Sequence, residues 1–481
     1  MGSFYIENFG CRATQADGAA LESQFLERGL TRVHAPREAE IVVLNTCTVT
    51  ESAEKDARAT IRRVRRENPE CRILVTGCYA QRAPDELAAL PGVSWVVGNS
   101  HKHLAADIAT SRKSSMGFVP LAQLNGDSAA GYKFHTAADV IVGDIFAHTE
   151  LLAAPVFDSA NERTRPNLKV QDGCDNRCSF CVIPSVRGKS RSLPLERVIN
   201  EVRSLVSAGY REVVISGINL GRWGRDLAAT SPSSLMVGSG DSKRMIIPGR
   251  RTTNDPGLEH LVRSILEHTS VEKLRISSVE PMDWSEELIG MMATSPRIAK
   301  HAHVPLQSGS DAVLRRMHRK YRPWHYREKI LKIRAAMSDA AIGADVMVGF
   351  PGETEAEFAE TRRMVEELPF TYLHVFTYSA RPGTPAAGQA DQVPAAVARE
   401  RNSILREIAA SKKTAFLHAQ VSSTVEAITL AANDDNFTPA LTHNYLKMQI
   451  AGRWAANQWI NARVEDTTEE CLQGFVPQLA P

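Results

Sequence analysis

Short apolar runs alternate with longer helical patterns along most of this 481-residue chain. In the first hundred residues, Phe4–Ile6, Ile41–Leu44 and Ile73–Val75 are each followed by a stretch with helical character. Strands that alternate with helices at this spacing form βαβ units, which assemble into parallel sheets. The pattern predicts an N-terminal parallel α/β domain over residues 1–105 and a connector over 106–165.

A cysteine follows each of these three predicted strands: Cys11, Cys47 and Cys78. Ligands of parallel sheets gather beyond the carboxyl ends of the strands, which share one edge. We therefore expect three thiols that are far apart in the sequence to converge. For the isolated Cys71 and Cys471 we expect the role of a small hydrophobic side chain.

A second strand–helix series extends over residues 166–390 and predicts an open (βα)6 partial barrel with its site at the carboxyl ends of the strands. Its predicted strands begin at Leu168–Val170 and continue at Glu212–Ser216, Lys273–Ser277, His301–Pro305, Gly343–Val348 and Tyr372–Tyr378.

Three further segments complete the predicted organisation. Residues 228–256 are rich in Ser, Gly and Pro, which predicts a long inserted loop. Residues 391–413 predict a bridging helix. Residues 414–481 alternate apolar and polar side chains, which predicts a small C-terminal β-barrel.

The most specific motif is Cys174-x3-Cys178-x2-Cys181, directly after the first strand of the second series. A [4Fe–4S] cluster takes four thiolate ligands, so three cysteines leave one iron open to a small molecule. This favours a catalytic cluster. Structural zinc is the alternative, but it usually takes four ligands, and no fourth Cys or His lies close by in the sequence.

This motif resembles the signature of the radical S-adenosylmethionine (SAM) superfamily. The resemblance implies that the open iron binds the amino and carboxylate groups of SAM, and that one electron splits the cofactor into a radical. It also implies that the aromatic ring of Phe180 lies against the adenine. Further candidates for cofactor binding are Gly217 and Asn219 in the loop after the second strand, and Ser277, Glu280 and Gln307 after the third and fourth strands. For the last three, ordinary polar loop residues are an equally good interpretation.

The second cysteine triplet and the order of domains resemble the methylthiotransferase family of radical SAM enzymes, whose C-terminal barrel is of the TRAM type. The resemblance implies two [4Fe–4S] clusters together with SAM. Cys174, Cys178 and Cys181 would hold the catalytic cluster, and Cys11, Cys47 and Cys78 would hold a second cluster that carries or activates sulfur. A methylthio group would then replace hydrogen at an unreactive C–H bond.

The segments Leu44–Thr50 and Asp172–Pro184 resemble the branch that modifies C2 of N6-threonylcarbamoyladenosine at position 37 of transfer RNA. The Ile-Arg pair typical of the isopentenyladenosine branch is absent after Cys47. Isopentenyladenosine 37 and a ribosomal-protein aspartate remain alternative substrates. A non-catalytic iron–sulfur protein that binds or senses RNA is an alternative of another class.

The expected partners are the tRNA anticodon loop, an electron donor such as flavodoxin or ferredoxin, and an unassigned sulfur donor. A net charge of +2 means that RNA contact must come from local patches. Three basic candidates are Arg187–Arg191, Arg315–Arg322 and the insertion residues Lys243, Arg244, Arg250 and Arg251. In the C-terminal barrel, Tyr445, Trp454 and Trp459 are candidates for base stacking or for core packing.

The N-terminus has no basic, apolar signal-peptide pattern, and no apolar stretch approaches the roughly 20 residues of a membrane span. We therefore expect a cytoplasmic protein that does not enter a membrane. We expect a monomer, because all the required domains are on one chain.

Overall fold

The computed structural model describes residues 2–111, 138–148, 151, 165–228, 257–432 and 436–477. The chain divides into two compact units, Met1–His148 and Thr149–Pro481. The four basic residues predicted to contact RNA from the 228–256 insertion lie outside the described residues. Among the described helices, none is long and apolar enough to cross a membrane.

The N-terminal unit is a six-stranded parallel sheet with strand order β2-β1-β3-β4-β5-β6. Its strands are β1 (Ser3–Asn8), β2 (Thr31–Arg32), β3 (Ile41–Thr46), β4 (Arg72–Gly77), β5 (Val93–Gly98) and β6 (Asp139–Ile141). Its helices are α1 (Arg12–Glu27), α2 (Glu51–Glu67), α3 (Cys78–Arg82), α4 (Pro84–Ala88) and α5 (Ala105–Thr110).

Helix α2 illustrates why these segments adopt this structure. The Thr50 side chain accepts a hydrogen bond from the Ala53 N–H and caps the first turn. Ala57, Ile61 and Val64 recur at helical spacing and are fully buried in the core of the unit. Strand β3 is buried along its whole length, as its continuous apolar run predicts for a central parallel strand.

The second unit contains the predicted barrel strands. They are β7 (Asn167–Asp172), β8 (Arg191–Ser192), β9 (Glu212–Gly217), β10 (Lys273–Ile276), β11 (His301–His303), β12 (Ala341–Val348) and β13 (Tyr372–Thr377). The helices of this part are α6 (Ile183–Arg187), α7 (Leu195–Ser207), α8 (Arg225–Ala228), α9 (Leu258–His268), α10 (Glu286–Thr294), α11 (Asp311–Arg316), α12 (Pro323–Ala336), α13 (Glu355–Glu367) and α14 (Ala395–His418).

Six parallel strands follow one another around this partial barrel. Strands β7, β9 and β10 form one parallel set and β11, β12 and β13 another, with a parallel bridge between Ser278 and His303 joining the two sets. The short β8 pairs antiparallel with β7. This order confirms the predicted open parallel barrel. Helix α14 continues to His418, beyond the predicted domain boundary at residue 413, and the boundaries themselves stay a prediction.

The C-terminal segment is a closed five-stranded β-barrel, as predicted. Its strands are β14 (Thr424–Thr429), β15 (Phe437–Thr442), β16 (Lys447–Ala451), β17 (Trp459–Thr467) and β18 (Leu472–Phe475), in the order β14-β15-β16-β18-β17. Inward-facing side chains such as Met448 and Ile450 alternate with exposed ones along β16.

The turn between β15 and β16 contacts the amino ends of the parallel barrel strands. His443 Nε2 lies 3.0 Å from the Asp339 carboxylate, and Asn444 donates to the Asp339 carbonyl at 2.8 Å. The Tyr445 ring lies 4.7 Å from the ring of His301, the first residue of β11. Lys273, the first residue of β10, pairs with Glu426 of the C-terminal barrel at 2.6 Å. The C-terminal barrel therefore closes the end of the parallel barrel opposite the cysteine loop.

The ion pair between Arg275 and Glu212 is fully buried at this junction, and the Tyr445 ring lies 5.3 Å from the Arg275 guanidinium. We predict that Glu212→Ala destabilises the protein by about 3–5 kcal/mol, because it leaves a buried guanidinium without its counter-charge. Chemical denaturation measures the effect. Glu272→Ala is the matched control, because Glu272 forms an exposed pair with Arg211 that contributes at most about 1 kcal/mol. Equal effects of the two changes would contradict the prediction.

Candidate active site

The loop that carries Cys174, Cys178 and Cys181 begins at the carboxyl end of β7. There its backbone passes close to the backbone of Lys189. Gly173 has a φ of 70°, and a Cβ at this position would lie 2.0 Å from the Lys189 carbonyl oxygen. Only glycine permits this approach. The Cys174 N–H then donates to the Gly188 carbonyl at 3.1 Å, which fixes the start of the loop.

A buried carboxylate, Asp172, anchors the start of this loop. It accepts hydrogen bonds from Lys169 Nζ at 2.9 Å, from Arg187 Nη1 at 2.9 and 3.1 Å, and from the Gly173 N–H at 2.8 Å. Burial raises the pKa of Asp172, but the charges of Arg187, Lys169 and Arg191 outweigh it and hold the pKa well below its usual range. Asp172 is thus ionised and ties the strand end to helix α6.

Arg319 and Asn219 contact the thiols of the loop. Arg319 Nη1 lies 3.2 Å from Cys178 Sγ, and Asn219 Nδ2 lies 3.5 Å from Cys174 Sγ. Arg319 also forms an ion pair with Glu280, so two of the predicted cofactor residues, Asn219 and Glu280, lie at the cysteine loop. The Arg319 side chain is 5% exposed, so its charge acts inside the site.

Burial raises the pKa of Cys181 to about 12 and also raises the pKa of Cys174. Free thiols in this environment keep their protons, and ligation of a metal centre must displace them. The buried guanidinium of Arg319 offsets part of the negative charge that three thiolates bring. The donor set therefore fits an iron–sulfur cluster with three cysteine ligands.

Two predicted cofactor residues carry buried oxygens that make no hydrogen bond within the described residues: Asn219 Oδ1 and Gln307 Oε1. Orphaned buried acceptors are uncommon in proteins and fit a ligand that brings N–H donors. Gln307 has a positive φ of 63°, a conformation that is uncommon for non-glycine residues and that clusters at ligand sites. These residues fit a ligand with the ammonium and amino groups of SAM.

The structure places the remaining candidates as follows. Phe180 is half-buried and packs edge-on against Phe350 at 6.4 Å. Gly217 lies against the side chain of Gln171, whose Oε1 also accepts the Asn219 N–H at 2.7 Å. Ser277 is buried, and its N–H bonds to the β9 backbone.

Three arginines of the two runs predicted to contact RNA make internal contacts instead. Arg187 is buried against Asp172, and Arg319 lies at the cysteine loop. Arg316 pairs with Glu357 at 2.8 Å. The sequence does not distinguish such arginines from solvated ones. Other basic residues of the runs, Lys189, Arg315 and Lys320, are exposed, and their contact with RNA stays a prediction.

The cysteines of the N-terminal unit also follow adjacent strand ends. Thr46 and Gly77 pair in the parallel register of β3 and β4, so Cys47 and Cys78 follow directly from paired residues. A Cβ on Gly10 would lie 2.7 Å from Cys47 Cβ, which brings the loop before Cys11 against Cys47. The geometry thus gathers the three cysteine-bearing loops at one edge of the sheet.

A buried polar network beneath these loops escaped sequence reasoning. Lys102 Nζ donates to Asp17 at 2.9 Å and to Asn45 at 3.2 Å. Asn45 in turn donates to Asn8 at 3.0 Å and to the Thr14 carbonyl at 2.7 Å. The network joins the segments that carry Cys11 and Cys47.

For Cys71 and Cys471 the role of a small hydrophobic side chain was predicted. Cys71 is buried in the core, as this role requires, whereas Cys471 is only partly buried.

A partial parallel barrel with a three-cysteine loop after its first strand defines a radical SAM enzyme. Residues 168–365 match the radical SAM superfamily, and residues 3–98 match a family described as uncharacterized protein family UPF0004. The threonylcarbamoyladenosine tRNA methylthiotransferase MtaB of Bacillus subtilis is 35% identical over 94% of this chain and 91% of its own length. The chain belongs to the radical SAM methylthiotransferase family, whose members use SAM and a [4Fe–4S] cluster.

Other relatives agree with this assignment. MtaB of Aquifex aeolicus is 32% identical over 93% of this chain and 96% of its own length. The tRNA-2-methylthio-N(6)-dimethylallyladenosine synthase of Novosphingobium aromaticivorans is 31% identical over 89% of this chain and 86% of its own length. Among solved structures, the radical SAM methyltransferase TsrM of Kitasatospora setae has a TM-score of 0.52 at 15% identity, covering 80% of this chain and 75% of its own, which supports the fold alone.

We predict that Asp172→Asn lowers the iron retained after anaerobic reconstitution, because the change removes the charge that holds Lys169 and Arg187 at the start of the cysteine loop. The expected result is a lower occupancy of the barrel cluster, which contains about four irons when fully loaded. Iron analysis and the electron paramagnetic resonance of the reduced protein measure it. Asp175→Asn is the control, because Asp175 is an exposed residue of the same type in the same loop. Full iron retention in the Asp172 variant would contradict the anchoring role.

Proposed function

We propose that this chain transfers a methylthio group to C2 of N6-threonylcarbamoyladenosine at position 37 of tRNA. The observation that carries the proposal is the pair of cysteine triplets, each at the carboxyl edge of a parallel sheet, within a chain of this family. The relatives named for this substrate, in Bacillus subtilis and Aquifex aeolicus, support the choice of base.

The barrel site is proposed to bind the radical-generating cofactors. Cys174, Cys178 and Cys181 would hold the cluster, which with SAM supplies the radical chemistry when bound. Arg319 would stabilise the ligated thiolates by its charge. Asn219 and Gln307 would accept hydrogen bonds from SAM through their unpartnered oxygens.

Cys11, Cys47 and Cys78 are proposed to hold a second [4Fe–4S] cluster, which handles the sulfur. Their convergence and the buried network beneath them support this role. The Asn99 amide lies 3.5 Å from Cys78 Sγ and would donate to the ligated thiolate. A structural metal would need no exposed ligand, whereas Cys11 is exposed and accessible to a sulfur donor.

The proposed partners are the anticodon loop of tRNA and an electron donor such as flavodoxin or ferredoxin, with the enzyme acting as a cytoplasmic monomer. The C-terminal barrel region from Thr414 onward has three basic and seven acidic residues, so phosphate attraction alone does not suit it to RNA. Of its three candidate aromatic residues, Tyr445 and Trp459 contact His301 and Lys273 within the protein, whereas Trp454 is more exposed.

A matched pair of cysteine variants separates the two sites. We predict that Cys178→Ala abolishes the formation of 5′-deoxyadenosine, because the barrel cluster loses a ligand. Cys47→Ala should retain this cleavage but form no methylthio product, since only the sulfur site is altered. Chromatography of 5′-deoxyadenosine and of tRNA nucleosides measures both. Methylthio product from the Cys47 variant would contradict the second role.

The proposed substrate is tested by mass spectrometry of nucleosides from total tRNA, comparing a strain that lacks the protein with a complemented strain. We expect the 2-methylthio form of N6-threonylcarbamoyladenosine to disappear and to return on complementation. Loss of the isopentenyl counterpart would assign the sibling substrate. Unchanged nucleosides would overturn a tRNA substrate and direct attention to a ribosomal-protein aspartate.

A further inference from the structure

Three polar side chains from neighbouring barrel strands converge outside the candidate cofactor site: His303 on β11, Asp345 on β12 and His374 on β13. One nitrogen or carboxylate oxygen from each side chain lies within 4.8 Å of those of the other two. His303 Nε2 is 3.4 Å from Asp345 Oδ1, and the Ser278 hydroxyl lies 2.9 Å from His303 Nδ1. We name these three residues the lumen cluster.

Strand alternation places the lumen cluster on the inner face of the barrel. Ala344 and Val346 flank Asp345 and belong to the hydrophobic core, as do Ala302 and Val304 on either side of His303. Successive side chains of a strand point to opposite faces. The lumen cluster therefore faces away from the packed core, and His374 is solvent-exposed there.

The lumen is closed below the cluster by stacked aromatic side chains. The Tyr372 ring lies 6.1 Å from His303 and 5.3 Å from His374, and its hydroxyl is 2.6 Å from His301 Nε2. Tyr445 of the C-terminal barrel packs beneath His301. Gly343 makes room for the Tyr372 ring, because a Cβ there would lie 2.1 Å from Tyr372 Cζ. These aromatic side chains therefore fill the lumen on the side of the C-terminal barrel.

The backbone connects the lumen cluster to the candidate cofactor site. The Gln307 N–H donates to the Asp345 carbonyl at 2.8 Å, and Ser278 lies two residues before Glu280. The lumen cluster is therefore joined to the candidate cofactor site through neighbouring backbone.

We propose that His303, Asp345 and His374 bind the threonylcarbamoyl substituent of the base, an inference that rests on the proposed function. This substituent carries a carboxylate, a hydroxyl and N–H groups. Two imidazoles can donate to the carboxylate, and Asp345 can accept from the hydroxyl or an N–H. His303 Nε2 is buried and, at 3.4 Å from Asp345 Oδ1, makes no hydrogen bond within the described residues, so a ligand placed between the two side chains could bond to both.

The same chemistry disfavours an apolar substituent. An isopentenyl group offers no hydrogen bonds, so it would displace water from these polar side chains without replacing the hydrogen bonds of that water. Sites built to hydrogen-bond a substrate group reject analogues that lack it far more strongly than apolar pockets reject extra polar atoms. The lumen cluster is therefore a specificity determinant.

The test compares binding of two anticodon stem–loop RNAs, one with N6-threonylcarbamoyladenosine and one with unmodified adenosine at position 37. The reconstituted protein is used, with His374→Leu and Asp345→Asn as variants. The wild-type protein should bind the modified RNA more tightly by roughly 10- to 100-fold, the range of hydrogen bonds to charged groups. Both variants should lose most of this difference while binding unmodified RNA as the wild type does.

His325→Leu is the control, because His325 is an exposed histidine on α12 outside the lumen. It should keep the full discrimination. A folding defect would weaken the binding of both RNAs equally. The ratio of the affinities for modified and unmodified RNA therefore isolates the contact with the substituent. The exposure of His374 makes its replacement tolerable to the fold.

Three results would overturn the inference. If the wild type discriminates and both variants retain the ratio, the substituent binds elsewhere. If a stoichiometric non-iron metal is present in the wild type and absent from both variants, the lumen cluster is a metal site. If the wild type neither discriminates nor forms the methylthio product on the modified RNA, the proposed function fails as well.

Discussion

Parallel pairing of strands brings the candidate sites of this protein together. The register that pairs Thr46 with Gly77 brings Cys47 and Cys78 to one edge of the N-terminal sheet. In the barrel, the same geometry places the cysteine loop after β7 and the lumen cluster on β11, β12 and β13. The sites depend on this pairing because each is built from residues that neighbouring strands bring together.

Buried charged residues hold the cysteine-bearing loops that follow these strands. Asp172 holds the start of the cysteine loop through Lys169 and Arg187, and Lys102 plays a comparable part beneath Cys11 and Cys47. Removing one partner of such a pair is costly, because the other charge stays buried. At the opposite end of the parallel barrel, Tyr445 of the C-terminal β-barrel packs against His301 and closes the lumen. Both ends of the lumen are therefore held by polar and aromatic contacts of the chain itself.

The alternation of strands and helices was predictable, because each segment has a strong local pattern. Helix α13 is an example, because Thr354 and Glu357 form a capping box at its first turn. The start of helix α1 at Arg12 is harder to predict, since its first turn is polar and lacks helical periodicity. Pairings across the chain were not predictable. Arg319 contacts Cys178, 141 residues away, and nothing in the local sequence distinguishes it from a solvated arginine. The lumen cluster escaped prediction for the same reason, because isolated histidines on strands carry no motif.

Iron and sulfide analysis after anaerobic reconstitution tests most directly whether one chain holds two [4Fe–4S] clusters on two separate cysteine triplets. The wild type should contain about eight irons and eight sulfides per chain. Replacing Cys11, Cys47 and Cys78 by Ala should leave about four of each, and so should replacing Cys174, Cys178 and Cys181. About four irons in the wild type, or no loss on replacing the N-terminal triplet, would contradict a two-cluster protein.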